Sequence, residues 1–267
     1  MSKIYYYVHT GHRIGLDRFR RAVAIIKALE DIDITLLCSD FRIAQEAYKY
    51  GIKEAVGIDL VQNISNIAQN GDQLILDSDE ANPIMLEDMK NYFSTFIHIQ
   101  SDALAIEKQY FQNHPKTIPL SFFFGDDDYE KDLLQYIDIF EGLDVNLQLG
   151  FYYFLDYEEE LQSKFPSYTE FDEYEEMIQS SKIFITSSPQ AALESLASGG
   201  KPIYIQRKDY TKDYNKLLAS LHIPILEKFD RYELRNTIDN IKQHSYKVLK
   251  EDKSNRLIIF IRENLKL

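Results

Sequence analysis

Cysteine is almost missing from this chain: among 267 residues only Cys38 occurs, which excludes an intrachain disulfide and a thiolate zinc site. Cys38 sits in the apolar run Ile34-Thr35-Leu36-Leu37-Cys38 and reads as a small buried hydrophobe. Proline (7) and glycine (10) are sparse, so collagen-like repetition and low-complexity scaffolding are excluded. No window approaches about eighteen unbroken apolar residues, and no small-residue cleavage site follows the first short apolar run, so a cytoplasmic location is expected. Positive charge is also short: 30 Lys+Arg stand against 43 Asp+Glu, a formal net charge of -13, and the basic residues are scattered. Such a chain repels phosphate backbones and anionic lipid, so neither nucleic acid nor stable membrane association is expected, while a local anion pocket stays compatible with it.

What is present is a foldable interior, 45% hydrophobic and 27% charged, carried by short β-rich runs alternating with helical periodicities. Ile4 to Val8 reads as a strand and Asp17 to Leu29 as a helix, with Phe19, Val23, Ile26 and Leu29 at three-to-four spacing. Strand Ile34 to Cys38, helix Phe41 to Tyr50 closed by Gly51, strand Gln73 to Leu76, helix Ile84 to Tyr92 and strand Phe93 to Ile99 follow. The rhythm breaks over the polar stretch Ser101 to Pro119 and resumes with strand Leu120 to Phe124, helix Tyr129 to Phe140, strand Val145 to Leu149, helix Phe171 to Gln179, strand Ile183 to Thr186, helix Gln190 to Ser198 and strand Pro202 to Ile205. Three further helices near 213–221, 231–243 and 254–265 are expected. The fold class is therefore α/β, with two Rossmann-like domains, 1–115 and 116–267, facing across a cleft, and with the last helix free to return to the first domain.

Chemistry is expected where strands run into helices. In the loop His9-Thr10-Gly11-His12-Arg13-Ile14-Gly15-Leu16-Asp17, Gly11 and Gly15 let backbone N–H groups approach an anionic ligand, and His9 or His12 is placed to act as acid, base or ligand. In Thr186-Ser187-Ser188-Pro189-Gln190 a strand meets hydroxyl residues that cap a helix, with Pro189 suited to its first turn and Gly199-Gly200 ending it. Open N–H groups and hydroxyls there suit a diphosphate, and Glu194 one turn on suits ribose hydroxyls; plain capping with an exposed Glu194 is the competing account. Asp126-Asp127-Asp128 reads as a hinge at the cleft or as a stabiliser of the helix starting near Tyr129, and three consecutive acids cannot converge on one metal ion. The acidic, aromatic segment Asp156 to Glu176 reads as a solvated helix and loop, with a cation site or partner surface as the other readings. No metal or cofactor is expected.

The Ser187–Pro202 segment resembles the nucleotide-diphosphate element of GT-B-type glycosyltransferases, in which a serine-rich turn precedes a helix bearing Glu and then a Gly-Lys-Pro-like approach to a strand. Within that superfamily the order of motifs is similar to the pseudaminic-acid-pathway UDP-sugar hydrolases, which release UDP from a diacetamido-trideoxyhexose. Ile14-Gly15-Leu16-Asp17-Arg18-Phe19-Arg20-Arg21 resembles their Ile-Gly-x-Gly-His-x-x-Arg element, Leu74-Ile75-Leu76-Asp77-Ser78-Asp79 their strand ending in Asp-x-Tyr, and Phe122-Phe123-Phe124-Gly125-Asp126-Asp127-Asp128 their Phe-Gly-Gly-x-Asp. The resemblance implies a UDP-sugar ligand, substrate contacts from Gly11, Gly15, Arg18, Arg21, Asp77, Asp79, Gly125, Ser187, Ser188, Gln190 and Glu194, and cleavage of the anomeric C–O bond with UDP leaving to water or an acceptor.

The departures bear on chemistry. Asp17 and Arg18 stand where those hydrolases have Gly and the motif His, Asp79 stands at their Tyr, and Asp126 at their second Gly. An arginine keeps its proton at working pH, so Arg18 cannot replace a histidine base. The expected catalytic residue is then Asp17 or His12; the alternative is a degenerate relative that holds a nucleotide sugar or a protein partner without turnover.

Overall fold

The computed structural model describes residues 2–153 and 155–267, with the side chains of Leu155 and Asp156 left aside, so Asp156, where the acidic segment begins, lies outside the described side chains. The chain divides into two compact units: the first runs up to Glu107 and takes in Asp252–Leu267, and the second is Lys108–Glu251.

In the first unit strands β1 (Ile4–Val8), β2 (Ile34–Cys38), β3 (Ala55–Gly57), β4 (Gln73–Asp77) and β5 (Thr95–His98) form a parallel sheet in the order β3-β2-β1-β4-β5. Its helices are α1 (Asp17–Ala28), α2 (Phe41–Glu46) and α3 (Pro83–Tyr92). A central parallel strand is covered on both faces and reads as an unbroken apolar run. β1 meets this demand with Ile4-Tyr5-Tyr6-Tyr7-Val8, all buried. Its phenols each find a polar partner: Tyr5 Oη donates to the Ile67 carbonyl at 3.4 Å, Tyr6 Oη to Asp77 at the end of β4 at 2.9 Å, and Tyr7 Oη to Glu80.

In the second unit β6 (Ile118–Phe123), β7 (Asn146–Gln148), β8 (Ser167–Thr169), β9 (Ser181–Thr186), β10 (Lys201–Ile205) and β11 (Ile225–Leu226) are parallel in the order β11-β10-β9-β6-β7-β8. Helices α4 (Leu133–Tyr136), α5 (Leu155–Gln162), α6 (Tyr174–Ser180), α7 (Pro189–Ala197), α8 (Asn215–Ser220) and α9 (Arg231–Asn240) belong here, and α10 (Glu251–Asn264) leads back to the first unit. The core is rich in phenylalanine, with Phe122 against Phe140 at 4.4 Å between ring centres.

Several elements differ from expectation. The helix expected over Tyr129–Phe140 shrinks to Leu133–Tyr136 followed by a 3-10 turn. Lys131 adopts φ 56, outside helical space, and the Asp128 carboxylate accepts from the N–H groups of Asp132 and Leu133 at 2.8 and 3.0 Å, so the helix starts late and is capped. The helix expected over Phe41–Tyr50 is an α-helical turn continued by a 3-10 turn, ending at Gly51 with φ 82. The acidic segment is part helix (α5), part strand (β8).

Candidate functional site

In an open parallel sheet, ligands bind outside the carboxyl ends of the strands where the strand order reverses. That point lies between β1 and β4 in the first sheet and between β6 and β9 in the second. The loops leaving those strands hold nearly all the residues singled out by sequence.

In the first unit the loop after β1 folds on itself: the N–H groups of Ile14 and Gly15 donate to the Gly11 carbonyl at 3.1 and 2.9 Å, and Gly11, Arg13 and Gly15 take φ 143, 68 and 75. Thr10 is tied to the loop after β2 by mutual hydrogen bonds with Ser39 at 2.8 and 2.7 Å. Beneath this loop Asp77 and Arg21 are both buried; Arg21 Nε and Nη2 donate to the Asp77 carboxylate at 2.9 and 2.5 Å, and Nη1 donates to the carbonyls of Ser101 and Ala103 at 2.9 Å each. The pair expected to touch substrate is thus engaged with itself, with the backbone and, through Asp77, with the Tyr6 hydroxyl.

Nearer the surface, Arg18 Nη1 donates to Asp79 Oδ1 at 2.9 Å, and Arg18 Nε lies 3.9 Å from Asp77. His9 Nδ1 is 3.2 Å from the same Asp79 oxygen, and its Nε2 faces Glu80 at 3.8 Å. The His9 hydrogen bond, helped by the Arg18 guanidinium, holds the Asp79 carboxyl well below the usual carboxylate range against the opposing effect of partial burial. Asp17 opens α1 with Arg20 Nη1 3.9 Å away, and His12 is exposed on the turn.

In the second unit β9 ends in Thr186, whose Oγ1 accepts from the Ser188 N–H at 3.0 Å. Ser188 caps the nine-residue α7, its Oγ accepting from the Ala191 N–H at 3.0 Å, and Pro189 takes the first helical position. Ser187 donates its N–H to the Phe123 carbonyl at 3.1 Å, which seats the turn beside Gly125 at the end of β6. The Ser187 hydroxyl is fully buried and makes no hydrogen bond within the chain. Glu194 is 2% exposed, which removes the competing account of plain capping with an exposed Glu; Tyr174 Oη and Gln190 Nε2 donate to it at 2.6 and 2.9 Å.

Sequence reasoning missed the support under the Gly125 turn. Arg207, just past β10, is buried, and its only sequence signal is its place at the carboxyl end of a central strand. Asp126, Asp127 and Asp128 are buried as well, and Asp128 also accepts from Tyr157 Oη. Burial pushes the Asp128 carboxyl up, against the hydrogen bonds it accepts from Tyr157 and the α4 amides.

The amino-acid sequence matches no protein-family model and no curated protein. Solved structures do match over nearly the whole chain. A UDP-GlcNAc 2-epimerase of Methanocaldococcus jannaschii, in complex with UDP-GlcNAc and UDP, superposes with a TM-score of 0.61 at 12% identity, covering 98% of this chain and 99% of that one. The spinosyn rhamnosyltransferase SpnG, complexed with thymidine diphosphate, gives 0.56 at 10% identity over 98% and 95%, and the glycosyltransferase SnogD of Streptomyces nogalater gives 0.51 at 11% identity over 99% and 95%. Likeness at such identities speaks for architecture alone. With its two parallel-sheet α/β units, this chain has the GT-B-like fold of that epimerase and those two glycosyltransferases.

Proposed function

We propose that the protein binds a UDP-sugar and cleaves its anomeric C–O bond with release of UDP, to water or to an acceptor, in surface-glycan or nonulosonic-acid biosynthesis. The observation that carries the binding half is the buried Ser187 hydroxyl without a hydrogen-bond partner at the N-terminus of α7, beside the Gly125 turn at the switch point of the second sheet. A helix N-terminus favours negative charge and offers unpaired N–H groups. Ser187, Ser188 and Gln190 cradle the diphosphate in this reading, and Glu194, oriented by Tyr174, accepts from ribose hydroxyls. Loss of a diphosphate leaving group needs its charge met as it develops, which fixed N–H groups achieve by pointing at it beforehand.

The proton-handling groups lie on the first unit. His9, hydrogen-bonded to Asp79, has the arrangement of an imidazole oriented by a carboxylate, and takes the proton of the attacking hydroxyl. Asp17 and His12 are the other acceptors on that loop, and Gly11, Gly15 and Arg18 lie beside them. Calorimetric titration with UDP, UDP-N-acetylglucosamine, CMP and GDP, followed by a UDP-release assay, tests the reading. Specific UDP binding with turnover is expected; His9→Gln should then lower the rate by about 10²- to 10⁴-fold with UDP affinity kept. Absence of nucleotide binding refutes it.

A second reading, a nucleotide-sugar-binding protein without turnover, is favoured by Arg18: at the motif histidine's place stands a guanidinium already paired with Asp79 at 2.9 Å. It predicts UDP binding with no UDP released from any sugar nucleotide, and no rate for Asp17→Asn or His9→Gln to lower.

A further inference from the structure

The loops after β1 and β4 bring two side chains together. His9 follows Val8, the partner of Asp77 across the sheet, and its backbone N–H donates to the Asp77 carbonyl at 3.2 Å. Glu80 lies three residues beyond Asp77, and its carboxylate is held through one oxygen. Tyr7 Oη and Ser78 Oγ both donate to Oε2, the second at 3.1 Å, and the Glu80 N–H donates back to Ser78 Oγ at 3.0 Å. Tyr7 is a fully buried residue of the central strand β1, and the Ser78 carbonyl lies 3.0 Å from His98 Nε2, so the carboxylate rests on fixed supports. Oε1 has no donor within hydrogen-bond distance among the described residues, and it lies 3.8 Å from His9 Nε2.

His9 meets that oxygen with a lone pair. Its Nδ1 carries the ring proton toward Asp79 Oδ1 at 3.2 Å, so in the neutral imidazole Nε2 is the acceptor. Two acceptors 3.8 Å apart are too distant to share one proton, and without a donor between them they repel. A group with two protons on one atom resolves this. A water about 2.8 Å from each closes the triangle, giving one hydrogen bond to Nε2 and the other to Oε1. An alcohol has a single hydroxyl proton. Seated on Nε2, it leaves Oε1 unmet, and a site built to bond a hydroxyl proton rejects the analogue that lacks it. Both side chains keep some exposure, 18% and 17%, so solvent reaches them.

We propose that Glu80 is a catalytic residue of this site, its Oε1 sharing with His9 Nε2 the two protons of the nucleophile, which is therefore water rather than an alcohol. The proposal rests on the UDP-sugar cleavage proposed above and decides between the two acceptors left open there. In the step, the water oxygen forms a bond to the anomeric carbon as the bond from that carbon to the β-phosphate oxygen breaks. UDP leaves with the electron pair, one water proton passes to Nε2, and the other stays on the product hydroxyl, hydrogen-bonded to Oε1.

Product partition tests this. UDP-N-acetylglucosamine and a UDP-diacetamidohexose are incubated with the protein in buffer and in buffer containing methanol, and free sugar and methyl glycoside are quantified by mass spectrometry beside UDP release. Wild type should release UDP in plain buffer, and its methyl glycoside should fall about tenfold below methanol's molar share. In Glu80→Gln the Tyr7 and Ser78 donors claim the amide oxygen, which sets the NH2 opposite Nε2 and removes the second acceptor. UDP release should then slow by about tenfold or more with UDP affinity kept, and the methanol share should rise severalfold. Tyr7→Phe, which takes one donor from Oε2, should move both readings the same way and less far. The share is a ratio of products, so it does not depend on how much of a variant is folded.

An unchanged rate in Glu80→Gln overturns the role of Glu80, and so does a slower rate with an unchanged methanol share, which marks a structural role alone. Wild-type product formed mainly as methyl glycoside overturns water as the nucleophile and leaves UDP-sugar cleavage standing. Absence of UDP release in plain buffer overturns the proposal too, and UDP titration then decides the wider reading: bound UDP keeps nucleotide binding, and no binding ends both.

Discussion

At the scale of single residues, the weightiest group in the first unit is Arg21, a fully buried cation whose charge is met by an equally buried Asp77. Removing one partner of such a pair strands the other in a low-dielectric interior, at a cost of about 3–5 kcal/mol. Arg21→Met should therefore lower the urea midpoint sharply, and Arg21→Met combined with Asp77→Leu should regain much of the loss, because an apolar pair strands no charge. A pH dependence belongs to the exposed neighbour. The Asp79 carboxyl titrates below its ordinary range in the folded protein, chiefly through His9. The stability it confers is present above the unfolded carboxylate value of about 4 and is lost as pH falls through its depressed folded range. Wild type and Asp79→Asn should thus differ in urea stability at pH 7 and converge on acidification. The gap stays small, because Asp79 is 67% exposed and solvent screens the pairing.

At the scale of elements, α7 does two jobs with one turn. Ser188 closes its N-terminus from within, and Ser187 leaves a buried hydroxyl beside the same amides. Ser188→Ala should cost about 1 kcal/mol in chemical denaturation through the lost cap, whereas Ser187→Ala, which breaks no hydrogen bond of the ligand-free chain, should cost less and still weaken UDP in titration. Equal stability losses from the two would show that Ser187 is part of the cap.

The legibility of elements in the sequence follows their burial. Central strands such as Ile4–Val8, Ile34–Cys38 and Gln73–Asp77 are buried along almost their whole length and read as apolar runs. Ala55–Gly57, Ser167–Thr169 and Ile225–Leu226 are two- or three-residue edge strands, too short for any periodicity. Glycines and hydroxyls punctuate the turns after β1 and β9, so those turns were readable. Arg207 was not, because beside its local Asp209 partner it holds main-chain carbonyls as much as 83 residues away, and a carbonyl carries no residue-type signal.

At the scale of the molecule, the chain returns to its first unit at the end. Arg262 makes a two-pronged ion pair with Asp31 at 2.7 and 2.6 Å, Ser254 Oγ accepts from the Ile106 N–H at 2.7 Å, and the Gln73 amide exchanges two hydrogen bonds of 2.8 Å each with the Lys266 backbone. Gln73 opens β4, next to β1 in the centre of the first sheet, so these bonds fasten the C-terminus to that sheet's middle. Ile258, Ile261 and Leu265 add buried apolar surface. At about 1.5–3 kcal/mol for each fully buried side chain, the segment's gross contribution is comparable with the whole stability of a typical domain, about 5–15 kcal/mol. Deleting 252–267 should therefore strip hydrogen-exchange protection from β1 and β4 while β6 and β9, whose sheet lies in the other unit, keep theirs. Gln73→Ala gives the milder form: it removes both bonds to Lys266, leaves Ile258 and Ile261 in place, and should loosen the last turn of the chain alone. Equal loss of protection in both sheets on deletion would mean that the two units unfold as one cooperative body.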